Sequence, residues 1–354
     1  MRASLNICAL IAASAAGAGC ASQANRNAVN ADVSAPATVQ RIVVAMATNL
    51  HLQVTAASRG QALQASEAGL QAMEAVNARL STWRDDSELS LLNRVRVGGY
   101  MDLSGALLED LRKARWWQRA TGGAFDPAVG ALVDLYQLRD GGRWPTDQEV
   151  WACLPHCGLD QLQIIYSNAG RLSAKLRLEE GGFGKGAGLD AAARAMLAAG
   201  ATAVAMDFGG QILRVGEHDV AGDYDIADPN ERLRGVVRVR IEAGSLATTA
   251  NSERRFRVGD QELGHILDPR TGRPAKDFGS ITVWARDAFA ADCLSTGLFV
   301  MGPVAAIAWA EKQEGIEVLA LVASRDAAKP QLTARMTSGM RGRVTALVPD
   351  ITIQ

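Results

Sequence analysis

Six short runs that read as strands, Ala203–Phe208, Gln211–Val215, Tyr224–Ala227, Val236–Ile241, Phe256–Val258 and Ile281–Ala285, succeed one another between residues 203 and 285. On either side the apolar spacing becomes helical. Arg59–Leu80 carries Leu63, Ala68, Leu70, Met73, Ala75 and Leu80, and further helices are expected at about Gly105–Ala120, Leu189–Leu197, Phe289–Met301 and Val304–Glu314. Strands are also expected at Val43–Ala56, Leu162–Tyr166, Arg171–Leu178 and Glu317–Val322. Strands gathered in one stretch and helices in others predict an α+β or mixed α/β fold.

At 354 residues, 48% hydrophobic and 21% charged, the chain is long enough for one large domain or two closely packed lobes. A formal net charge of -1, with Lys and Arg scattered, provides no basic stripe and argues against a nucleic-acid partner. The first 20 residues read as an export signal: Arg2, the apolar run Ile7–Ala16, then Gly17-Ala18-Gly19-Cys20. That run is shorter than the roughly 20 residues needed to span a bilayer. It resembles a bacterial lipoprotein signal, with Cys20 the lipidated first residue, although Gly17 replaces the usual large aliphatic residue; plain secretion is the alternative. Ala21–Gln40 reads as a flexible tether, with the folded domain running over 41–354. Ala21 and Ser22 after the cysteine favour the outer membrane, by analogy with known lipoproteins.

Cys8 leaves with the signal, so Cys153, Cys157 and Cys293 remain. Cys153 and Cys157 read as a disulfide, as half a metal site, or as two small buried residues; a zinc site lacks a second ligand pair.

The turn Gly181–Gly188 follows one expected strand and opens a helix, which presents backbone N–H groups and Lys185 to an anion. Asp292 and Thr296, four apart on one helix face, suit a hard cation that keeps waters and phosphate oxygens as its other ligands. His265, three residues before Asp268, is placed to take a proton from a hydroxyl. Each of these features alone is more often structural than functional.

Together and in order, however, Met46-Ala47-Thr48, Ser81-Thr82-Trp83, Thr121-Gly122-Gly123-Ala124-Phe125-Asp126, Gly181-Gly182 with Lys185-Gly186 and Asp190, Asp207-Phe208-Gly209-Gly210, Ala247-Thr248-Thr249, His265 to Gly272, and Ala291-Asp292 with Ser295-Thr296 resemble the FAD:protein FMN transferase family, the ApbE-like flavin transferases. The resemblance spans about Val43–Gly302. It implies two lobes of β-sheet layers flanked by helices, with FAD in the cleft between them. It also implies a periplasmic, lipid-anchored enzyme of a Gram-negative-type bacterium. With Mg²⁺ this enzyme moves FMN from FAD to a Thr or Ser hydroxyl of an acceptor flavoprotein and releases AMP. Met46 and Trp83 would pack on flavin or adenine; Ala124, Phe125 and Asp126 would line the nucleotide pocket. Glu179 and Lys185 would sit near the adenosine or phosphates. The backbone carbonyl of Gly182, with Asp292 and Thr296, would hold the metal, Ser295 lying close by; His265 would activate the incoming hydroxyl. An FAD pyrophosphatase and a non-catalytic FAD carrier are the alternatives.

The chain departs from the family pattern at Ala47, Thr249, Ala250, Glu179 and Glu180. Added methyl groups narrow a pocket, and an extra carboxylate repels a pyrophosphate unless a cation offsets it.

Overall fold

The computed structural model describes residues 36–46, 48–217, 221–253, 255–324 and 331–354; the expected leader, Cys20 and residues 21–35 lie outside these. The described chain opens with a hairpin, β1 (Ala37–Ala45) and β2 (Thr48–Ala56), so the folded part begins before Arg41 and one expected strand is two. Ala45 pairs with Thr48, and the chain reverses at Met46, which takes φ +43°. The reversal moves the inward face from odd positions, Val39 and Val43, to even ones, Leu50, Leu52 and Val54, a change of phase that the reading of Val43–Ala56 as one strand passes over.

Helix α1 (Arg59–Leu80) runs over the expected span, capped by Ser58, whose hydroxyl accepts the Gln61 amide at 3.2 Å. The lobe that follows holds α2 (Glu88–Arg94), β3 (Met101–Asp102), α3 (Gly105–Ala120), α4 (Gly130–Leu135), α5 (Asp147–Cys153), β4 (Leu162–Ile165) and β5 (Asn168–Arg171). Its core of Leu89, Leu107, Leu111, Leu162, Leu176 and Leu178 is continuous with Val76 and Leu80 of α1 and with Phe183 and Phe289. The strand expected over Arg171–Leu178 ends at Arg171. Beyond it, the backbone of Leu178 is bonded through both N–H and C=O to the Asn93 amide, at 2.8 and 3.0 Å, so apolar alternation there serves a core-facing loop.

Helix α6 (Gly184–Ala198) starts five residues earlier than its apolar pattern suggests. It leads into β6 (Ala201–Phe208), β7 (Gln211–Gly216), β8 (Gly222–Asp228), β9 (Glu231–Ile241) and β10 (Gly244–Ala250). Small hairpins follow, β11 (Arg255–Val258) with β12 (Gln261–Gly264) and β13 (Leu267–Asp268) with β14 (Arg273–Pro274). The chain closes through β15 (Gly279–Ala285), α7 (Ala288–Met301), α8 (Pro303–Ala310), β16 (Ile316–Ala323), β17 (Leu332–Met336), β18 (Val344–Ala346) and β19 (Ile351–Ile353).

Nine strands form one sheet in the order β1-β2-β6-β7-β10-β15-β16-β17-β19, antiparallel except for β17 beside β19. Helices α1 and α6 cover Leu50, Leu52, Val204 and Met206 on one face, and α7 and α8 cover Val318 and Ala320. The alternate residues Leu319 and Leu321 point the other way, onto Val236, Val237 and Val239 of the small β18-β9-β8 sheet. Strand β16 is therefore apolar on both sides, and each fully buried Val or Leu contributes about 1.5–3 kcal/mol. The architecture is the mixed α+β, two-lobed one expected, with a central strand, β10, that the sequence did not reveal. Cys153 and Cys157 are free thiols, the Cys157 Sγ lying 3.6 Å from the Cys153 carbonyl oxygen.

Candidate active site

Helix α7 is apolar around most of its surface, and only Thr296, Val300 and Met301 escape full burial. A carboxylate inside such a helix is expensive unless hydrogen-bonded. Asp292, 4% exposed, accepts the Gly186 amide of α6 through Oδ2 at 2.8 Å. The two helices approach closely because residue 186 has no side chain: a Cβ there would lie 2.3 Å from the Ala288 carbonyl oxygen. Asp190 secures the same junction, accepting the Ala288 and Phe289 amides at 2.9 and 3.0 Å; burial pushes its carboxyl up to about 6.

One turn beyond Asp292, Thr296 meets the loop before α6. The position of a Cβ on Gly182 lies 3.4 Å from the Thr296 hydroxyl oxygen and 3.2 Å from the Phe125 ring. Phe125 is buried against Gly297, and its amide donates to the Thr121 hydroxyl at 3.1 Å. Ala124 beside it is also buried. The Ser295 hydroxyl donates to the Asp292 carbonyl at 3.0 Å and accepts from Thr249 at 2.9 Å, tying α7 to β10. Thr249 thus departs from the family pattern with a hydroxyl that has a partner.

The Asp126 carboxylate accepts the Ala128 and Leu159 amides at 2.8 and 3.0 Å, which makes it the brace of its own turn. Burial pushes it up to about 6 against those bonds. Met46 reaches across α6, its Sδ 3.6 Å from where Gly188 would carry a Cβ and its Cε 3.8 Å from that place on Gly184. Lys185 stands half-buried in the first turn of α6. His265 is half-buried in the bend between β12 and β13, directly after Gly264, whose Cβ position lies 2.6 Å from the Asn251 Oδ1. Asp268, three residues on, ends β13. Its carboxylate takes the Arg270 amide and guanidinium, each at 2.9 Å.

Glu179 and the extra carboxylate of Glu180 are also engaged. Glu179 pairs with Arg139 at 2.5 Å, and burial raises its carboxyl against the pull of that guanidinium. Glu180 accepts the Thr82 amide at 3.1 Å and hydroxyl at 2.6 Å. The guanidinium of Arg139 stacks 4.5 Å from the Trp83 ring centroid, and that ring is 66% exposed. Sequence reasoning missed Arg139 because its partners lie 40 and 57 positions away.

Among the described residues, no cluster of three or more His, Cys, Asp and Glu side chains is placed to hold a metal ion. What the junction offers instead is one carboxylate, Asp292, and the Thr296 hydroxyl beside the Gly182 backbone. That combination fits Mg²⁺, which binds few protein groups and keeps waters and phosphate oxygens. A cavity of about 870 Å³, lined by Phe278, Phe299, Pro303 and Val322, lies apart from these residues.

Residues 46–320 match the ApbE family. An FAD:protein FMN transferase of Vibrio cholerae is 32% identical over 265 residues, covering 73% of this chain and 79% of that one. One of Haemophilus influenzae is 28% identical, covering 67% of this chain and 72% of that one. Among solved structures, a flavin transferase ApbE from Vibrio cholerae superposes with a TM-score of 0.72 at 26% identity, over 86% of this chain and 99% of that one. The ApbE protein of Thermotoga maritima shares the fold, with a TM-score of 0.74 at 22% identity over 86% of this chain and 98% of that one.

Proposed function

The chain belongs to the ApbE family, and from that membership we propose that it transfers FMN from FAD to a Thr or Ser hydroxyl of an acceptor flavoprotein, releasing AMP. We place it in the periplasm, held by a lipid on Cys20 to the membrane, the outer one favoured. The observation that carries the reading is the meeting of Asp292 and Thr296 on α7 with Gly186 and Gly182 at the start of α6.

Asp292, Thr296 and the Gly182 carbonyl are the groups that would hold Mg²⁺, with Ser295 keeping α7 in register. Bound there, the ion would draw charge from the pyrophosphate and stabilise the departing AMP. The protein's share is positioning. Phe125 and Met46 wall the space beside α6 with apolar surface, and Lys185 brings a positive charge to the helix start. His265 takes the proton of the acceptor hydroxyl as its oxygen bonds to the FMN phosphorus and the bridging P–O bond to AMP breaks. Such a base contributes roughly 10²–10⁴-fold.

The deciding experiment incubates the soluble domain with FAD, Mg²⁺ and an acceptor domain, and reads AMP together with flavin fluorescence on a denaturing gel. AMP with a fluorescent acceptor band supports transfer. AMP with only free FMN means a pyrophosphatase, and no AMP means a carrier. Asp292→Ala should abolish metal-dependent turnover. His265→Ala should keep FAD binding and slow transfer about 10²-fold or more; a normal rate would exclude it as the base. Cys20→Ala should move the protein from the membrane to the soluble periplasmic fraction.

A further inference from the structure

An indole that is 66% exposed has no packing reason to be immobile, yet three side chains fix the loop that carries Trp83. Glu180 grips the Thr82 amide and hydroxyl, and Arg139 Nη2 donates to the same hydroxyl oxygen at 2.7 Å. The other end of the grip is Glu179, whose Oε2 accepts from that nitrogen, while its Oε1 is buried without a hydrogen-bond partner. The guanidinium then lies 4.5 Å from the Trp83 ring centroid. A planar cation against one face of an indole stiffens the ring and leaves the opposite face for another flat group.

We infer that Arg139 is a positioning residue for the substrate, holding Trp83 as a stacking wall for one planar ring of the dinucleotide. The inference rests on the reading of this site as an FAD site and adds to it a residue that acts through Trp83. It also gives the unusual Glu179-Glu180 pair a purpose. The two carboxylates anchor Arg139 and Thr82 instead of standing as unpaired negative charge beside a diphosphate.

The test measures FAD affinity, by quenching of flavin fluorescence with Mg²⁺ present, and the steady-state constants with an acceptor domain. Arg139→Ala should raise Kd and KM for FAD by roughly tenfold and leave kcat at saturating FAD within about twofold. Arg139→Lys keeps a charge for Glu179 but loses the flat stack, and should fall between that variant and the parent. If Arg139 acts through Trp83, the Trp83→Ala/Arg139→Ala double variant binds FAD no more weakly than Trp83→Ala alone. Additive losses, or a fall in kcat with KM unchanged, would overturn the assignment. Should Arg139→Ala not fold, Arg139→Lys decides: parental affinity refutes the inference, and an intermediate one supports it. Trp83→Ala with undiminished FAD binding would instead sink the reading of the site itself.

Discussion

The contact between α6 and α7 at Gly186 yields the sharpest quantitative prediction. Gly186 lies within α6, where alanine is ordinarily the better residue by about 1 kcal/mol. Here the added methyl would sit 2.3 Å from the Ala288 carbonyl oxygen, 2.6 Å from its carbon and 2.7 Å from the Phe289 Cα. All three are backbone atoms at the start of a buried helix, so no rotamer change relieves them. The helices must part by about 1.1 Å to bring the first contact to the 3.4 Å at which ordinary packing begins. Overpacking of this kind costs ~1–3 kcal/mol, and stretching the Gly186 amide away from the Asp292 carboxylate removes part of a charged hydrogen bond worth ~1.5–3 kcal/mol. Set against the helix-propensity gain, Gly186→Ala should destabilise the protein by about 3 kcal/mol, or roughly 4 °C in Tm for a chain of this size. The variant should also need more Mg²⁺ for half-maximal turnover. Gly105→Ala is the control, because no atom lies within 4 Å of its added methyl, and it should be neutral or slightly stabilising. Calorimetry of the three proteins checks this. A Gly186→Ala variant that melts with the parent would refute the claim that this contact sets the helix separation and with it the Asp292 geometry.

Asp126 governs a second expectation. Its folded carboxyl is raised from 3.8 to about 6 by burial, so it holds its proton more tightly than in the unfolded chain. The resulting stability is present below pH 4 and lost as pH rises through about 6, a change of about 3 kcal/mol. Asp126→Asn removes this dependence, so the parent's advantage over it should shrink between pH 4 and pH 6 in denaturant titrations; a constant difference would show that Asp126 does not titrate there. Thr249→Val deletes the hydroxyl that donates to Ser295 and should cost about 1 kcal/mol with a modest rise in the Mg²⁺ requirement. An unchanged melting curve and metal profile would show that the β10 to α7 link is idle.

Helix α1 was legible to the residue because its apolar spacing and its Ser58 cap agree on one structure. Strand β10 was hidden for the opposite reason. Its residues Gly244–Ala250 are mostly small, and both faces are covered, so its burial leaves no alternation to read. The early start of α6 was masked by glycines that usually end helices but here admit α7. In the site, Asp292, Thr296, Phe125 and Gly182 could be read because each sits in a short run of characteristic neighbours, and the fold brings them together. Arg139 lies in a turn without periodicity, and only the three-dimensional return of residues 179–180 to Thr82 gives it meaning. The sequence placed Asp268 close to His265 but did not reveal that Arg270, two residues further on, forks onto its carboxylate.

The pieces that converge on the start of α6 come from a hairpin tip at Met46, a loop at Phe125 and a helix that reaches Thr296. No fragment released from the ribosome before that last threonine contains a complete binding place. Ligand therefore cannot rescue a half-made chain or bias its early collapse; it can only reward the finished one, by mass action on a state that already exists. Dinucleotide occupancy would in this sense report that the chain as far as Thr296 has folded.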